Sequence, residues 1–320
     1  MKVLVATEKP FAKKAVDGIR AIVEQAGMKL SLLEKYTRKE ELLEAVADAD
    51  ALIVRSDKVT REVIQAAPRL RIVVRAGAGY DNLDLAACSE KQVVAMNTPG
   101  QNSNAVAELA IGLMIFMARN QFQPGTGTEL RGKTLGVHAY GNVGRLVAGL
   151  AKGFGMEIYA YDPYIPASVM QSEGVHVAAT LEELYRRSDY LSLHIPANKE
   201  TTGSIGQALL SLMPKSACLI NTARKEVINE PELEAILAQR TDLKYATDVA
   251  PGNMDALKAQ FDSRVFATAK KMGAETQEAN INAGLAAARQ IVGYLQKGDK
   301  TFCCPQTPQE ICGRSGSPSL

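Results

Sequence analysis

Short runs of aliphatic and β-branched residues alternate with longer amphipathic segments along almost the whole chain. Five such runs in residues 1–98 predict strands, and six more follow between residues 134 and 269. The segments between them carry apolar residues at helical spacing. Strands without polar alternation, separated by helices, are typical of parallel sheets covered on both faces. The pattern therefore predicts an α/β protein with two consecutive parallel-sheet units.

Two long helical patterns, at residues 104–120 and 275–296, flank the second unit. Little chain follows the second pattern, so the simplest topology returns that helix to the first unit and makes the unit discontinuous. We therefore expect one domain from residues 1–98 and 278–302, and another from residues 99–277. The remaining segment, 303–320, is rich in Pro, Ser and Gly, which predicts a disordered tail with exposed thiols and no regulatory domain.

Composition narrows the class of partner. The 320 residues are 46% hydrophobic and 22% charged, typical of a soluble globular protein, and the net charge is only +2. These values disfavour nucleic-acid and membrane partners. The longest apolar run, residues 109–118, is too short to cross a bilayer and predicts a buried helix. Five scattered cysteines without a C-x-x-C pair predict a reducing, cytoplasmic location with neither disulfides nor a metal site.

The strongest local motif runs from a strand through a glycine turn and a helix to a second strand, over residues 134–162. Gly141 lets the backbone approach a pyrophosphate, and Gly144 lets the helix pack closely on the strand. Asp162 lies 18 residues beyond Gly144, where an acid that binds the ribose hydroxyls is expected. Its charge would repel a 2′-phosphate, so NAD is the expected cofactor rather than NADP. The turn itself reads Ala139, Tyr140, Gly141, Asn142, Val143 and Gly144.

Several further segments occur in a specific order: RAGAGYDNLDLAACSEKQVVAMNTPGQNSNAVAEL, LSLHIPANKETTGSI, LINTARKEVIN, ATDVAP and GAETQEAN. With the glycine turn, they make roughly residues 1–302 similar to the D-2-hydroxyacid dehydrogenase family, and within it to the phosphoglycerate dehydrogenases. The resemblance implies a Rossmann-like NAD domain inserted into a discontinuous, flavodoxin-like substrate domain, and a homodimer. It also implies cofactor contacts from His194, Ala223 and Asp248, and a substrate contact from Asn104.

A 2-oxo or 2-hydroxy acid needs its carboxylate fixed and its reacting oxygen polarised. The glycine-rich loop Ala76, Gly77, Ala78 and Gly79 can offer backbone N–H groups to a carboxylate. Arg224, at the end of the LINTAR strand, matches the catalytic arginine of the family. Its planar guanidinium can bind carboxylate and carbonyl oxygens together.

A phosphorylated substrate also requires cations. Arg55 and Ser56 follow the strand ALIVRS, at the sheet edge where such folds bind ligands. Lys9, after the first strand, is a weaker candidate. The expected substrate is therefore a phosphorylated 2-hydroxy acid.

The chain departs from the family at the acid/base. The family has a histidine held by a glutamate, whereas this chain has Lys270 or Lys271, depending on the direction of counting, and Asn253. A glutamate beside a histidine raises the pKa of the imidazole, which helps a catalytic histidine. A free lysine has a pKa of about 10.4, and this pKa must be lowered before the lysine can act as a base near neutral pH. Losing both family residues therefore favours a lysine acid/base.

The sequence thus favours NAD-dependent oxidation of 3-phosphoglycerate. Two alternatives stay open: a hydroxypyruvate or glyoxylate reductase, and an NAD-sensing binding protein that has lost catalysis. Retention of Arg224 and of the carboxylate loop favours the enzyme.

Overall fold

The computed structural model describes residues 1–304. The chain forms two compact units: Met1–Asn102 joined by the segment that begins at Glu275, and Ser103–Ala274. Each unit is built on an all-parallel sheet covered by helices. The predicted α/β class with two parallel-sheet units is therefore confirmed.

The first unit contains a five-stranded sheet of order β2-β1-β3-β4-β5. Alternate residues of its strands enter opposite cores: Val3 and Val5 join one hydrophobic cluster, and Leu4 joins the other. Because both faces are buried, the strands read as continuous apolar runs rather than as alternating ones. The elements are β1 (Lys2–Thr7), α1 (Lys13–Gln25), β2 (Lys29–Glu34), α2 (Lys39–Val46), β3 (Ala51–Val54), α3 (Arg61–Gln65), β4 (Ile72–Arg75), α4 (Leu85–Glu90) and β5 (Val94–Asn97).

The long C-terminal helix α12 (Gln277–Lys297) belongs to this first unit and packs on α1. The side chain of Thr276 caps its first turn by accepting from the amide of Ala279 at 3.1 Å. Gly284 permits the close approach, because a Cβ there would lie 3.0 Å from Ile19 Cδ1 and 3.2 Å from Phe11 Cε1. Left-handed Gly298 (φ 68°) ends the helix.

The segment after α12 differs from the prediction. Cys303 and Cys304 are both buried, and the amide of Cys304 donates to Ala95 O of β5 at 2.9 Å. Cys303 forms an antiparallel bridge with Met96 and is disulfide-bonded. The expected exposure of both thiols is therefore wrong, because backbone pairing with β5 draws the two residues into the core. The expected absence of disulfides is wrong for Cys303, whereas Cys304 is a free thiol. The rest of the predicted tail, 305–320, lies outside the described residues.

The second unit contains a seven-stranded sheet of order β12-β11-β10-β9-β6-β7-β8. The strand order reverses beside β6, whose neighbours are β7 and β9. Ligands of open parallel sheets bind at such a reversal, beyond the carboxyl ends of the strands. The elements are α5 (Ser103–Ala118), β6 (Thr134–His138), α6 (Asn142–Gly153), β7 (Glu157–Tyr161), α7 (Ala167–Ser172), β8 (His176–Val177), α8 (Leu181–Arg187), β9 (Tyr190–Leu193), α9 (Gln207–Leu210), β10 (Cys218–Asn221), α10 (Glu230–Gln239), β11 (Lys244–Thr247), α11 (Met254–Phe261) and β12 (Val265–Ala267).

The apolar run at residues 109–118 lies in α5, where Ala110, Met114 and Met117 are buried in the core of the second unit. The prediction of a buried core helix is confirmed. Within residues 1–304, no helix combines the length and the apolarity that a membrane span requires.

Candidate active site

The glycine turn of the second unit leads from β6 into α6. Gly141 is the N-cap of α6, and the amides of Gly141, Asn142 and Val143 donate to no acceptor among the described residues. Free amides at a helix N-terminus, with the positive end of the helix dipole, attract phosphate. Gly144 cannot carry a side chain, because its Cβ would lie 2.2 Å from Ala139 O. These residues fit a dinucleotide pyrophosphate.

Ala139 occupies the first position of the turn, where a glycine is usual, and adopts a left-handed φ of 78°. An alanine in this region carries a steric cost of about 1–2 kcal/mol that glycine avoids.

We therefore expect Ala139→Gly to stabilise the protein by on the order of 1 kcal/mol, after allowing for the greater freedom of glycine in the unfolded chain. Urea unfolding of the second unit would measure the change. Ala197→Gly is the matched control, because Ala197 is exposed and has no positive φ. Ala197→Gly should lower the free energy of unfolding. A change of the same sign in both variants would therefore contradict the prediction for Ala139.

Asp162, predicted to bind ribose, closes the same turn. Its Oδ2 accepts from the amide of Tyr140 at 2.7 Å, and its Oδ1 accepts from the amides of Tyr164 and Ile165. The carboxylate is half-buried and fixed in place by backbone groups. Its position at the end of β7, beside the turn, is compatible with the predicted role.

Tyr140 anchors the turn from the other side. Its buried hydroxyl donates to Glu173 Oε2 at 2.8 Å, and Glu173 is paired with Arg145 of α6. The Arg145 guanidinium lowers the pKa of Glu173. The side chain of Tyr140 therefore links the cofactor turn to the helix pair α6 and α7. Sequence reasoning placed Tyr140 in the turn but did not foresee this link.

His194 and His138 lie at the carboxyl ends of adjacent strands, and the amide of His194 donates to His138 O at 2.9 Å. Burial lowers the pKa of His138 to about 4, and burial with the neighbouring imidazole lowers that of His194 to about 3. Both rings are therefore neutral near pH 7. The Nε2 of His194 is buried without a hydrogen-bond partner among the described residues, which leaves it available to a ligand of this edge.

Arg224 follows β10 in an extended conformation that buried Asn221 imposes. Asn221 Oδ1 accepts from the amide of Ala223 at 3.0 Å, and its Nδ2 donates to Arg224 O at 3.0 Å. Arg224 Nη1 also donates to Ala223 O at 2.9 Å. The arginine is half-buried, and its guanidinium is held at the carboxyl edge of the sheet. A polar residue at the end of the apolar strand CLIN was the signal that could have identified Asn221.

Lys270 and Lys271 lie in the exposed segment after β12. The carboxylate of Asp248, at the end of β11, holds this segment: its Oδ2 accepts from the amides of Met272 at 3.1 Å and Gly273 at 2.7 Å. Burial raises the pKa of Asp248, and these amides and the charge of Lys271 oppose the rise. Asp248 Oδ1 is buried without a partner among the described residues.

Lys271 interacts with the carboxylate of Asp248. Asn253, at the position of the family's glutamate, precedes α11 without a side-chain capping hydrogen bond, and its Nδ2 donates to Glu234 Oε2 at 3.1 Å. Within residues 1–304, no cluster of three or more His, Cys, Asp or Glu side chains could hold a metal ion.

In the first unit, the predicted carboxylate loop follows β4. The carbonyls of Gly77 and Ala78 are taken by the amide of Thr98 and by Asn97 Nδ2. The amides of Ala78 and Gly79 donate to no acceptor among the described residues. The loop is thus fixed through its carbonyls and presents two amides to an anion.

Gly77 adopts a φ of 157°, which L side chains rarely adopt, and a Cβ there would lie 1.6 Å from Arg75 Nη1, so that the Arg75 side chain would have to move. Arg75 Nε donates to Arg55 O at 3.0 Å, so two arginines of adjacent strand ends lie beside the loop. Sequence reasoning missed Arg75, although it directly precedes the loop that was singled out.

The guanidinium of Arg55 is already engaged within the first unit. Its Nη1 donates to Lys9 O and Pro10 O, both at 3.1 Å, its Nη2 contacts Asn280 Oδ1, and it lies over the ring of Phe11. The arginine therefore ties the segment after β1 to α12. Ser56 and the Lys9 side chain are exposed beside it. Asn104, in α5 of the second unit, is exposed and donates to Glu108 Oε1 at 2.6 Å.

The second unit is a dinucleotide-binding domain of dehydrogenase type, and residues 112–270 match the family model "D-isomer specific 2-hydroxyacid dehydrogenase, NAD binding domain". The chain belongs to this family, and the cofactor of the domain is NAD. A D-3-phosphoglycerate dehydrogenase of Methanocaldococcus jannaschii is 40% identical in an alignment of 296 positions that covers 86% of this chain and 56% of that relative. The chain thus spans just over half the length of that curated relative.

Two further proteins match nearly full length. A hydroxypyruvate reductase of Thermotoga maritima is 34% identical over 83% of this chain and 91% of its own. The crystal structure of NAD⁺-bound 3-phosphoglycerate dehydrogenase from Entamoeba histolytica has a TM-score of 0.86 and 48% identity, over 96% of this chain and 99% of that one. Both the fold and the family are thus shared along the described chain.

Proposed function

We propose that the protein oxidises a phosphorylated D-2-hydroxy acid with NAD, and that 3-phosphoglycerate, oxidised to 3-phosphohydroxypyruvate, is its substrate. The observation that carries this proposal is the pair of unengaged amides of Ala78 and Gly79 beside Arg75 and Arg55. The amides suit a carboxylate, and the Arg55 guanidinium, which also donates to Lys9 O and Pro10 O, is the cation we propose for a second anion. The phosphoglycerate dehydrogenases among the relatives support the same substrate.

Each predicted group then has a defined role. The loop amides bind the substrate carboxylate, and the Arg224 fork binds carboxylate and hydroxyl oxygens together. NAD, held by the turn from Gly141 to Gly144 and by Asp162, would supply the acceptor for the hydride of the hydroxyl-bearing carbon. Lys270 or Lys271 takes the hydroxyl proton during oxidation and returns it during reduction. Without this base, the carbinol oxygen would have to lose its proton to water.

The direct test is NADH formation on addition of D-3-phosphoglycerate, compared with D-glycerate. We expect a strong preference for the phosphorylated acid. Equal turnover of both acids, or better reduction of hydroxypyruvate, would instead favour the second candidate, a hydroxypyruvate reductase, which the relative from Thermotoga maritima supports. Binding of NAD without turnover of any of these acids would favour the NAD-sensing protein.

If Arg55 holds the phosphate, Arg55→Ala should raise the KM for phosphoglycerate by about 10–100-fold, the value of one charge-assisted contact of about 1.5–3 kcal/mol. The KM for glycerate should change little. Because Arg55 also ties the segment after β1 to α12, the melting temperature must be measured in parallel. An equal loss for both acids would show that the effect is structural.

Asp162 should set the preference for NAD over NADP. Asp162→Ala removes the charge that repels a 2′-phosphate, so the ratio of kcat/KM for NAD and NADP should fall, mainly through a lower KM for NADP. Glu157→Ala, which removes an exposed acid from the same strand, is the control. Equal use of both cofactors by the unmodified protein would contradict the assignment.

The finer biological assignments rest on the family. We propose that the protein is cytoplasmic, because phosphorylated three-carbon acids and NAD are intracellular metabolites. By resemblance to the family, we also propose that it is a homodimer and that it catalyses the entry step of serine biosynthesis. Sedimentation would test the dimer.

A further inference from the structure

The carboxylate of Asp248 binds the backbone of a distant segment of the chain. It is 1% exposed, and its Oδ2 accepts two amides, those of Met272 and Gly273, from the segment that follows the two lysines. Hydrogen bonds to an ionised carboxylate are roughly twice as strong as neutral ones. The bond to Gly273, at 2.7 Å, is as short as this class of bond becomes.

The lysine segment has little apolar burial. Lys270 and Lys271 are exposed, and Met272 is 42% exposed, so the segment lacks apolar burial of its own. Thr268 Oγ1 donates to Lys270 O at 2.6 Å, which bends the chain as it leaves β12. Beyond the lysines, Gly273 is buried, and a Cβ there would lie 3.1 Å from both Asp248 Oδ2 and Val106 Cγ2. Both the Thr268 hydroxyl and the Asp248 carboxylate therefore help to fix this segment.

We propose that Asp248 is a positioning residue for the acid/base lysine: its carboxylate fixes the Met272 and Gly273 backbone and so determines where the lysine side chains can reach. The inference rests on the proposed dehydrogenase function. A displacement of about 1 Å at a reacting group can cost about 10²-fold in rate, so the anchor would matter although Asp248 itself transfers no proton.

Asp248 also acts by charge. It interacts with Lys271, on the segment it holds, and with Tyr245, the buried phenol of β11 that Glu230 of α10 also faces. An anion beside Lys271 favours the protonated amine. Removing the charge should therefore move the ionisation in the rate profile to lower pH if Lys271 is the acid/base, and should leave it in place if Lys270 is.

Three variants separate the effect of the Asp248 backbone hydrogen bonds from the effect of its negative charge. Asp248→Ala removes both, Asp248→Asn removes the charge but keeps an acceptor oxygen, and Gly273→Ala disturbs the contact while leaving the charge. We expect Asp248→Ala to lower kcat by about 10–100-fold, and Gly273→Ala to lower it less without shifting the pH profile. Asp255→Asn, which removes an exposed acid from α11, is the matched control and should keep full activity.

Hydrogen exchange supplies a readout independent of turnover. In the unmodified protein with NAD bound, the Met272 and Gly273 amides should be protected, and Asp248→Ala should speed their exchange by about 10–100-fold, as expected for loss of a charge-assisted bond. Unchanged exchange, or unchanged kcat in a folded Asp248→Ala variant, overturns the inference. If Asp248→Ala does not fold, Asp248→Asn and Gly273→Ala decide by the same two measurements. Failure of the proposed function would be recognised separately, because the unmodified protein itself would then oxidise no 2-hydroxy acid.

Discussion

Replacing the acid/base lysine by alanine is expected to lower kcat by about 10²–10⁴-fold, the usual contribution of a positioned proton donor and acceptor. Oxidation of an alcohol needs a base for the hydroxyl proton, and the reverse reduction needs the same group as an acid. Lys270 and Lys271 are the two candidates, and we expect one of them, but not both equally, to be required. Lys271 interacts with the carboxylate of Asp248, so the two lysines differ in their electrostatic surroundings.

NAD affinity should change little in either variant, because neither lysine belongs to the turn between β6 and α6. Calorimetric titration with NAD would therefore separate loss of chemistry from loss of folding or binding. Lys215→Ala, which removes an exposed lysine elsewhere in the second unit, is the control.

Replacement of the required lysine by histidine should restore little activity, because Asn253 is bonded to Glu234 and cannot support an imidazolium as a glutamate would. Near-full turnover of both alanine variants would refute a lysine acid/base and direct attention to water or to His194.

The strands of both sheets were predictable because a strand buried on both faces is an uninterrupted apolar run. Val3, Leu4 and Val5 illustrate this, since consecutive residues of β1 enter opposite cores and none of them can be polar. The ligand edge followed from the same reasoning, because parallel strands place their carboxyl ends together. Arg224 and Asp162 could therefore be located by counting to the ends of their strands.

Contacts between distant segments could not be predicted in this way. The pairing of Cys304 with Ala95 depends on where the chain returns after α12, and its sequence context of Pro, Ser and Gly indicated only a loose tail. The contact of Asp248 with Gly273 joins residues 25 apart and likewise has no local signature. Ala139 is a different case: the turn was identified correctly, but the left-handed φ of 78° shows that the fold imposes the conformation even where the residue disfavours it.

Loss of Arg224 should lower activity as much as loss of the acid/base lysine, but it should weaken binding of the hydroxy acid as well as slow the reaction. If its planar fork holds two substrate oxygens, Arg224→Ala removes two charge-assisted hydrogen bonds, a loss of about 3–6 kcal/mol or roughly 10²–10⁴-fold in kcat/KM. Arg224→Lys keeps the charge without the fork, so it should recover only part of this loss. Both kcat and the KM for the hydroxy acid should suffer, while NAD affinity stays near that of the unmodified protein.

Lys225→Ala, which removes the exposed neighbouring cation, is the control for a general loss of positive charge. Asn221→Ala provides a second, independent comparison, because it leaves the guanidinium in place and removes the side chain that fixes the Ala223 amide and the Arg224 carbonyl. It should lower kcat/KM less than Arg224→Ala does, and stability should fall as well. If Arg224→Lys equals the unmodified protein, the fork is not used and the arginine acts only as a charge. If Arg224→Ala keeps its kcat/KM, the carboxyl edge of β10 is not where the hydroxy acid binds, and the loop at Ala78 and Gly79 must hold it alone.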